Sequence, residues 1–327
     1  MTDPSAAVAG ATATQDAQSY VVGAEHAEDT AQYAGAKPGK PRSLASDAWR
    51  DLRRRPLFIV AGSVILLLVV VAVFPGLFTS ADPNLKDLAH TREKPSGQAW
   101  FGYDLQGRDV YARVVYGTRW SLLVGIGAAV LTVLIGSVLG ILAGYAGGWV
   151  DNLLSRVGEV FFALPFVLGA IVILTVFRNA GVNGAVPIVG VVVLSLAVLS
   201  WPVAMRIMRS AAISAKQQDY VKAARALGAR PARILYRHLL PNCLAPVLVY
   251  ATIALGAFIG AEATLSFLGI GLRDPAVSWG VMIADSRNFV RVAPHMLLFP
   301  ASFLTVTVLA FVMLGDAVRE ALDPKLR

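Results

Sequence analysis

Long apolar runs separated by short polar stretches dominate this chain. Six of these runs are long enough to span a hydrocarbon core of ~30 Å, which takes about 20 helical residues. They lie at about residues 57–78, 120–145, 153–177, 186–207, 245–268 and 296–318. Because a helix satisfies its own backbone hydrogen bonds in lipid, the pattern predicts an all-α integral membrane protein with six transmembrane helices.

Basic residues beside the apolar runs predict how the chain is oriented. Seven bases and two acids precede the first run, and seven bases with one acid lie between the fourth and fifth runs. Cytoplasmic flanks carry an excess of lysine and arginine, and these two clusters are four crossings apart. Both termini are therefore expected in the cytoplasm. The loops at 79–119 and 269–295 carry mixed charges and add no support.

Composition agrees with a membrane protein and excludes several other classes. Hydrophobic residues make up 56% of the chain and charged residues 15%, whereas soluble domains carry about 25% charged residues. A net charge of +8 suggests nucleic acid in a soluble protein, but here the bases flank apolar runs, so no nucleic-acid partner is expected. A single cysteine, Cys243, and four scattered histidines predict no disulfide, metal site or cofactor.

The two ends of the chain differ from its apolar middle. Residues 1–36 are rich in alanine and lack an apolar core, so no signal peptide is expected. Residues 1–42 are predicted to form a disordered cytoplasmic tail, with a docking arm as the alternative. Residues 43–118 then hold the first span and an outer loop, residues 119–320 the other spans with a cytoplasmic loop at 208–244, and residues 321–327 a cytoplasmic end.

Glycines recur at a spacing of four in two of the runs. The second run contains Gly136, Gly140 and Gly144, and the fifth contains Gly256 and Gly260. Helix backbones approach each other closely where side chains are absent. Tightly packed helix interfaces are therefore expected on these faces, which are also candidates for pairing with a second membrane subunit.

The cytoplasmic loop at 217–228 predicts a short amphipathic helix. Its apolar face follows helical spacing and consists of Tyr220, Ala223, Ala224 and Leu227. Gly228 suits the end of this helix, and Pro231 suits the first turn of a second helix that ends near Leu240, before Pro241. The face lies either on lipid headgroups or under another protein. Its alanines favour a protein, because membrane-surface helices insert larger side chains.

This loop resembles the EAA loop of ABC importer permeases. In that pattern Glu-Ala-Ala is followed by Gly and later by Leu-Leu-Pro, and the matching residues here are Ala223, Ala224, Gly228, Leu239, Leu240 and Pro241. Lys222 replaces the glutamate, as in the oligopeptide/dipeptide/nickel branch. Further segments similar to that branch lie at 53–57, 100–109, 116–119, 262–269 and 278–280. Over about residues 43–326 the chain resembles the second, C-type permease subunit.

The resemblance implies a type I ABC importer permease fold in the bacterial cell membrane. It implies three kinds of partner: a homologous second permease, two cytoplasmic ATPase subunits or one fused ATPase, and an extracytoplasmic solute-binding protein. The docking residues for the ATPase would be Tyr220, Ala223, Ala224, Leu227 and Gly228. No phosphate-binding G-x-x-x-x-G-K-[ST] motif occurs, so the chain is expected to be a transport subunit rather than an enzyme.

The resemblance implies three classes of substrate, and one transport mechanism from outside this family is kept as an alternative. Di- or oligopeptides are the implied substrates, and nickel chelates or glutathione-like solutes are alternatives within the branch. An ion-coupled secondary transporter is the alternative from another class. The sequence disfavours it because no internal repeat is evident and acids within the runs are sparse.

Three residues near the outer side, Glu262, Ser266 and Trp279, are candidates for the translocation pathway or its gate. Glu262 lies 17 residues after Ala245, roughly 25 Å along a helix, and shares a face with Ser266. A carboxylate there either holds the amino terminus of a peptide or pairs with a gate arginine, or else makes a structural hydrogen bond to a neighbouring helix. Trp279 is either an aromatic residue of the membrane interface or a contact to the binding protein or substrate.

An acid in the third run has a simpler explanation. Glu159 follows Arg156 by three residues, the spacing at which side chains on one helix meet. An ion pair within the helix near the inner surface is therefore the favoured interpretation.

Overall fold

The computed structural model describes residues 52–322, and within that range all regular elements are helices apart from one isolated bridge between Tyr103 and Asp109. The helices are α1 (Pro56–Val73), α2 (Val110–Ala146), α3 (Gly148–Ala163), α4 (Phe166–Asn179), α5 (Ala185–Ala215), α6 (Asp219–Ala226), α7 (Pro231–Phe267), α8 (Trp279–Ser286) and α9 (His295–Leu322). The predicted all-α class is confirmed for these residues. The tail assigned to residues 1–42 and the last residues, 323–327, lie outside the described range.

The long helices correspond to the predicted apolar runs. Helices α1, α2, α5, α7 and α9 are each long and apolar enough to cross a membrane, and the α3–α4 pair passes the same test as one bent unit. Two helices begin well before their apolar runs: α2 begins at Val110 and α7 at Pro231. Asp109 caps the start of α2, where its carboxylate accepts hydrogen bonds from two backbone N–H groups.

The third predicted run is not a continuous helix, so that prediction was wrong. Helices α3 and α4 meet at an angle of 91° around Leu164 and Pro165. Proline lacks an N–H group and disfavours the helical region for the residue before it, and Leu164 has φ −78° and ψ 125°. A single proline barely changes the hydropathy of a run, which is why the apolar pattern did not reveal the break.

The second helix of the cytoplasmic loop does not end at Leu240, contrary to the prediction. It continues through Pro241 as α7, after a π-helical stretch at Ile234–Leu239 in which the N–H of Leu240 donates to the carbonyl oxygen of Leu235. The wider turn shifts the hydrogen-bond register just before the proline, so the helix passes Pro241 without a break.

The glycines of α2 pack against α5 within this chain. A Cβ atom added at Gly144 would lie 2.7 Å from Ala212 Cβ, and one added at Gly140 would lie 2.8 Å from Met208 Cβ. The close helix interface is confirmed, but the expectation that this face of α2 pairs with another subunit is wrong because α5 covers it. On α7, only Gly256 approaches a neighbouring helix, since a Cβ at Gly260 would meet no atom within 4 Å.

Polar side chains bridge the ends of helices that lie at the same end of the bundle. The three bridging pairs are Arg55 with Glu320, Lys216 with the carbonyl oxygen of Gly144, and Arg178 with the carbonyl oxygen of Ile270. They join the start of α1 to the end of α9, the end of α5 to the end of α2, and the end of α4 to the end of α7.

Candidate functional site

Helix α6 is anchored on one face and bare on the other. Val221 is fully buried in a cluster that includes Met208 of α5 and Ile234 of α7. On the opposite face Leu227 is 88% exposed and Tyr220 is 41% exposed. Exposed large apolar side chains on a rigidly held helix are typical of a surface that another molecule covers.

Gly228 ends α6 in the way the sequence predicted. Its φ is +78°, in the left-handed region that favours glycine. The N–H of Ala229 donates to the carbonyl oxygen of Ala224, and the N–H of Gly228 donates to that of Arg225, each at 3.0 Å. These two bonds form a Schellman motif, which turns the chain sharply from α6 into α7.

A groove of about 920 Å³ lies between α6 and the first turns of α7. We call it the α6 groove. All five residues predicted to dock a partner line it: Tyr220, Ala223, Ala224, Leu227 and Gly228. The structure therefore gathers them on one concave surface.

The opposite wall of the α6 groove is basic. It carries Arg230, Arg233, Arg237 and His238, and no carboxylate lines the groove in the part of the chain that the structure describes. The sequence analysis did not assign this wall, although the arginines recur at spacings of three and four along one helix, which places them on a common face. A surface of this charge favours an acidic partner.

The α6 groove is mechanically connected to a membrane-spanning helix. Ile234 and Leu239, at the base of α7, are buried in the same cluster as Val221. From that base α7 runs without interruption to Phe267. Because such interiors are close-packed, a force applied to α6 acts directly on the base of α7.

Glu262 sits in a closed polar cluster near the far end of α7. The side chain is 0% exposed, and its Oε1 accepts hydrogen bonds from Ser266 Oγ at 2.7 Å and from Ser278 Oγ at 2.8 Å. Ser278 also caps α8, where its Oγ accepts from the N–H of Val281. Glu262 thus fastens α8 to α7, and this geometry favours the structural alternative over a role in the pathway. Ser266, its predicted companion, is buried in the same cluster.

Trp279 fits neither of the two alternatives considered from the sequence. The residue is 0% exposed, so its ring meets neither lipid headgroups nor solvent. Its Nε1–H donates to the carbonyl oxygen of Val114 at 3.1 Å, and its backbone N–H donates to Ser121 Oγ at 3.3 Å. The ring is buried between α8 and α2. Its placement in a loop between apolar runs did not reveal that the loop folds back into the bundle.

An ion network that the sequence analysis did not single out joins the segment before α2, the start of α2 and the segment around α8. Arg108 and Arg113 are only 4% and 1% exposed. Arg108 binds Asp104 at 2.7 Å and Asp274 at 3.3 Å, and Arg113 lies 3.9 Å from Asp285 of α8. Burial raises the pKa of Asp285, and the two guanidinium groups oppose that shift. The dense charge of residues 104–113, between two apolar runs, was the available signal.

Two smaller observations complete the sites considered from the sequence. Arg156 and Glu159 form the predicted pair within α3 at 2.7 Å. Within residues 52–322 no three His, Cys, Asp or Glu side chains come together in a way that could hold a metal ion.

Two family models match the chain. The model described as the binding-protein-dependent transport system inner membrane component matches residues 136–327. The N-terminal TM domain of oligopeptide transport permease C matches residues 43–95.

Curated relatives match along nearly their whole length. The dipeptide transport system permease protein DppC of Alkalihalophilus pseudofirmus is 36% identical over 296 residues, which cover 90% of this chain and 93% of the relative. The glutathione transport system permease protein GsiD of Pectobacterium atrosepticum is 37% identical over 280 residues, which cover 85% and 90%.

A solved structure shares the fold. A chain of the MetNI methionine ABC transporter in an inward-facing conformation superposes with a TM-score of 0.53 and 20% identity, covering 64% of this chain and 96% of that chain.

Proposed function

The chain belongs to the family of binding-protein-dependent transport system inner membrane components, as a C-type permease of the oligopeptide and dipeptide branch, and from this premise we propose that it imports di- or oligopeptides. It is a multi-pass protein of the bacterial inner membrane and a transport subunit rather than an enzyme. The substrate class is supported by DppC, which is named for dipeptide transport. A glutathione-like solute is the second candidate, because GsiD matches at similar identity.

We propose six crossings with both termini in the cytoplasm. The pairing of Lys216 with Gly144 supports this, because α2 and α5 then end on the same side and the bent α3–α4 pair has to cross between them. Arg178 at the end of α4 lies beside Ile270 after α7, as expected if both end on the outer side. The Arg55–Glu320 pair puts the start of α1 and the end of α9 together, as an even number of crossings requires.

The observation that carries the proposed mechanism is the bare face of α6. An anchored helix with Leu227 88% exposed, beside a basic groove wall, is suited to receive a cytoplasmic ATPase subunit. Closure of the ATPases on ATP would then push α6, and α6 would move the base of α7. The partners are a homologous second permease, two ATPase subunits or one fused ATPase, and an extracytoplasmic binding protein that delivers the substrate.

The proposed division of the chain follows the same logic. Residues 43–118 form an N-terminal segment with the first span, and residues 119–320 form the permease domain with its coupling loop at 208–244. The two matched family regions, 43–95 and 136–327, fall on either side of residue 118, which supports this boundary.

Co-purification tests the docking proposal. The tagged chain is expressed with its second permease and ATPase, and the retained ATPase is quantified after detergent extraction. We expect stoichiometric retention by the wild-type chain and loss of the ATPase when Ala224→Glu places a charge on the docking face. Full retention by a folded Ala224→Glu variant would contradict the assignment of α6 as the docking element.

A further inference from the structure

Two adjoining cavities open between α3, α5, α7 and α9, on residues separate from the α6 groove. Their volumes are about 530 and 590 Å³, and they share Ile207 and Pro246. We refer to them together as the inner cleft. Arg206 is one of the lining residues. It precedes Ala215, the last residue of α5, by nine residues, which is roughly 14 Å along the helix. The inner cleft therefore lies in the half of the bundle that faces the cytoplasm in the proposed topology.

The inner cleft is cationic. Arg206 of α5 and Arg319 of α9 are among its lining residues, and within residues 52–322 no carboxylate lines it. Within residues 52–322 neither arginine forms an ion pair, whereas the neighbouring Arg209 is paired with Asp151. Two positive charges that form no ion pair among the described residues, beside otherwise apolar and hydroxyl-bearing walls, attract an anion that also has apolar groups.

The guanidinium of Arg206 contacts an aromatic ring. Its Cζ atom lies 4.1 Å from the centre of the Phe162 ring, a cation–π contact. Such a contact uses none of the guanidinium N–H groups, so they remain able to donate in parallel to a carboxylate.

We propose that the inner cleft binds the free C-terminal carboxylate of the transported peptide and that Arg206 is its main partner. This inference rests on the proposed peptide import and names the part of the substrate that the membrane subunit recognises. Dipeptides and glutathione, the solutes in the names of the two relatives, both end in a free carboxylate. The apolar wall formed by Val249 and Ile253 is suited to the side chains of such a peptide.

The test compares a dipeptide with its C-terminally amidated form in proteoliposomes that contain the assembled importer. The binding protein discriminates between the two peptides equally in every variant, so a change in the acid-to-amide uptake ratio reports on this chain. We expect Arg206→Gln to lower that ratio about tenfold, since a charge-assisted hydrogen bond is lost. Arg206→Lys should retain part of the preference. Arg156→Gln, at an exposed ion pair outside the inner cleft, should keep the wild-type ratio.

Two results would overturn the inference. The first is an unchanged ratio in Arg206→Gln, even if uptake of both peptides falls. A fall of both that occurs only with anionic phospholipids would assign Arg206 to lipid headgroups. If Arg206→Gln fails to assemble, an unchanged ratio in Arg319→Gln is the second. A wild-type complex that takes up neither peptide would instead contradict the proposed function, and the inference with it.

Discussion

The buried carboxylate of Glu262 accepts a hydrogen bond from Ser278 Oγ at 2.8 Å, which joins the far end of α7 to the residue that caps α8. The same oxygen accepts from Ser266, and Ser278 caps α8, so one side chain holds a helix end in place. The outer segment that contains α8 is therefore fixed to the spanning helix whose base lies beside the α6 groove. Helix α7 therefore contacts the cluster beneath α6 at its base and α8 at its far end.

Glu262→Gln should retain most of the transport activity. The glutamine carbonyl oxygen still accepts from both hydroxyls, whereas Glu262→Ala leaves the O–H groups of two buried serines without their acceptor and costs about 1–3 kcal/mol. Thermal unfolding in detergent and uptake in proteoliposomes measure the two effects. Loss of transport in an assembled Glu262→Gln variant of normal stability would contradict this role and restore the carboxylate to the translocation pathway.

Gly228→Val should reduce ATPase retention, whereas Gly228→Asn should largely preserve it. No atom of the described residues lies within 4 Å of a Cβ placed at this glycine, so neither side chain clashes within the permease and the two variants differ mainly in how well they tolerate the backbone conformation. The left-handed region costs most L-residues about 1–2 kcal/mol, and asparagine tolerates it better than β-branched valine. Co-purification of the ATPase with each variant checks this. Equal retention by both variants would show that the turn after α6 does not position the docking face.

Leu227→Ala and Val221→Ala form a matched pair on opposite faces of α6. Leu227 is 88% exposed and Val221 is 0% exposed. Leu227→Ala should weaken ATPase binding without changing the melting temperature of the isolated permease. Val221→Ala should lower the free energy of unfolding by about 2 kcal/mol, because it removes buried methyl groups. An unchanged affinity for the ATPase in Leu227→Ala would argue that this face is covered by something else.

The proposed topology predicts which introduced cysteines react from each side. Leu88→Cys should react with a membrane-impermeant maleimide added outside intact cells, and Tyr236→Cys should react only in inverted vesicles. Both positions are well exposed, at 74% and 75%, and the native Cys243 is buried. Cys243→Ala provides the background. Reaction of Leu88→Cys exclusively from the cytoplasmic side would contradict the six-crossing arrangement.

The elements that were predictable from the sequence depend on local patterns. Apolar runs located every long helix, and the spacing around Ala223 with the glycine at 228 located α6 and its end. The break at Pro165 and the passage of α7 through Pro241 were not predictable in this way. A proline alone does not decide the outcome, because Pro202 lies inside the continuous helix α5, whereas α3 and α4 separate at Pro165.

The remaining features depend on contacts between distant segments. Trp279 is buried because Val114 and Ser121 of α2 receive its N–H groups, and neither partner is near it in the sequence. The pairing of Arg113 with Asp285 joins α2 to α8 in the same way. The spacing of the glycines predicted a close helix interface but did not identify α5 as the neighbour.

The most direct test of the coupling role of α6 is ATP hydrolysis by the reconstituted importer. The rate is measured in proteoliposomes with and without binding protein loaded with a dipeptide, for the wild-type chain and for Leu227→Ala. We predict strong stimulation by the loaded binding protein in the wild type and a loss of that stimulation in Leu227→Ala at unchanged permease stability. Wild-type stimulation in Leu227→Ala and in Ala224→Glu would contradict the assignment, as would peptide uptake that needs an ion gradient but no ATP.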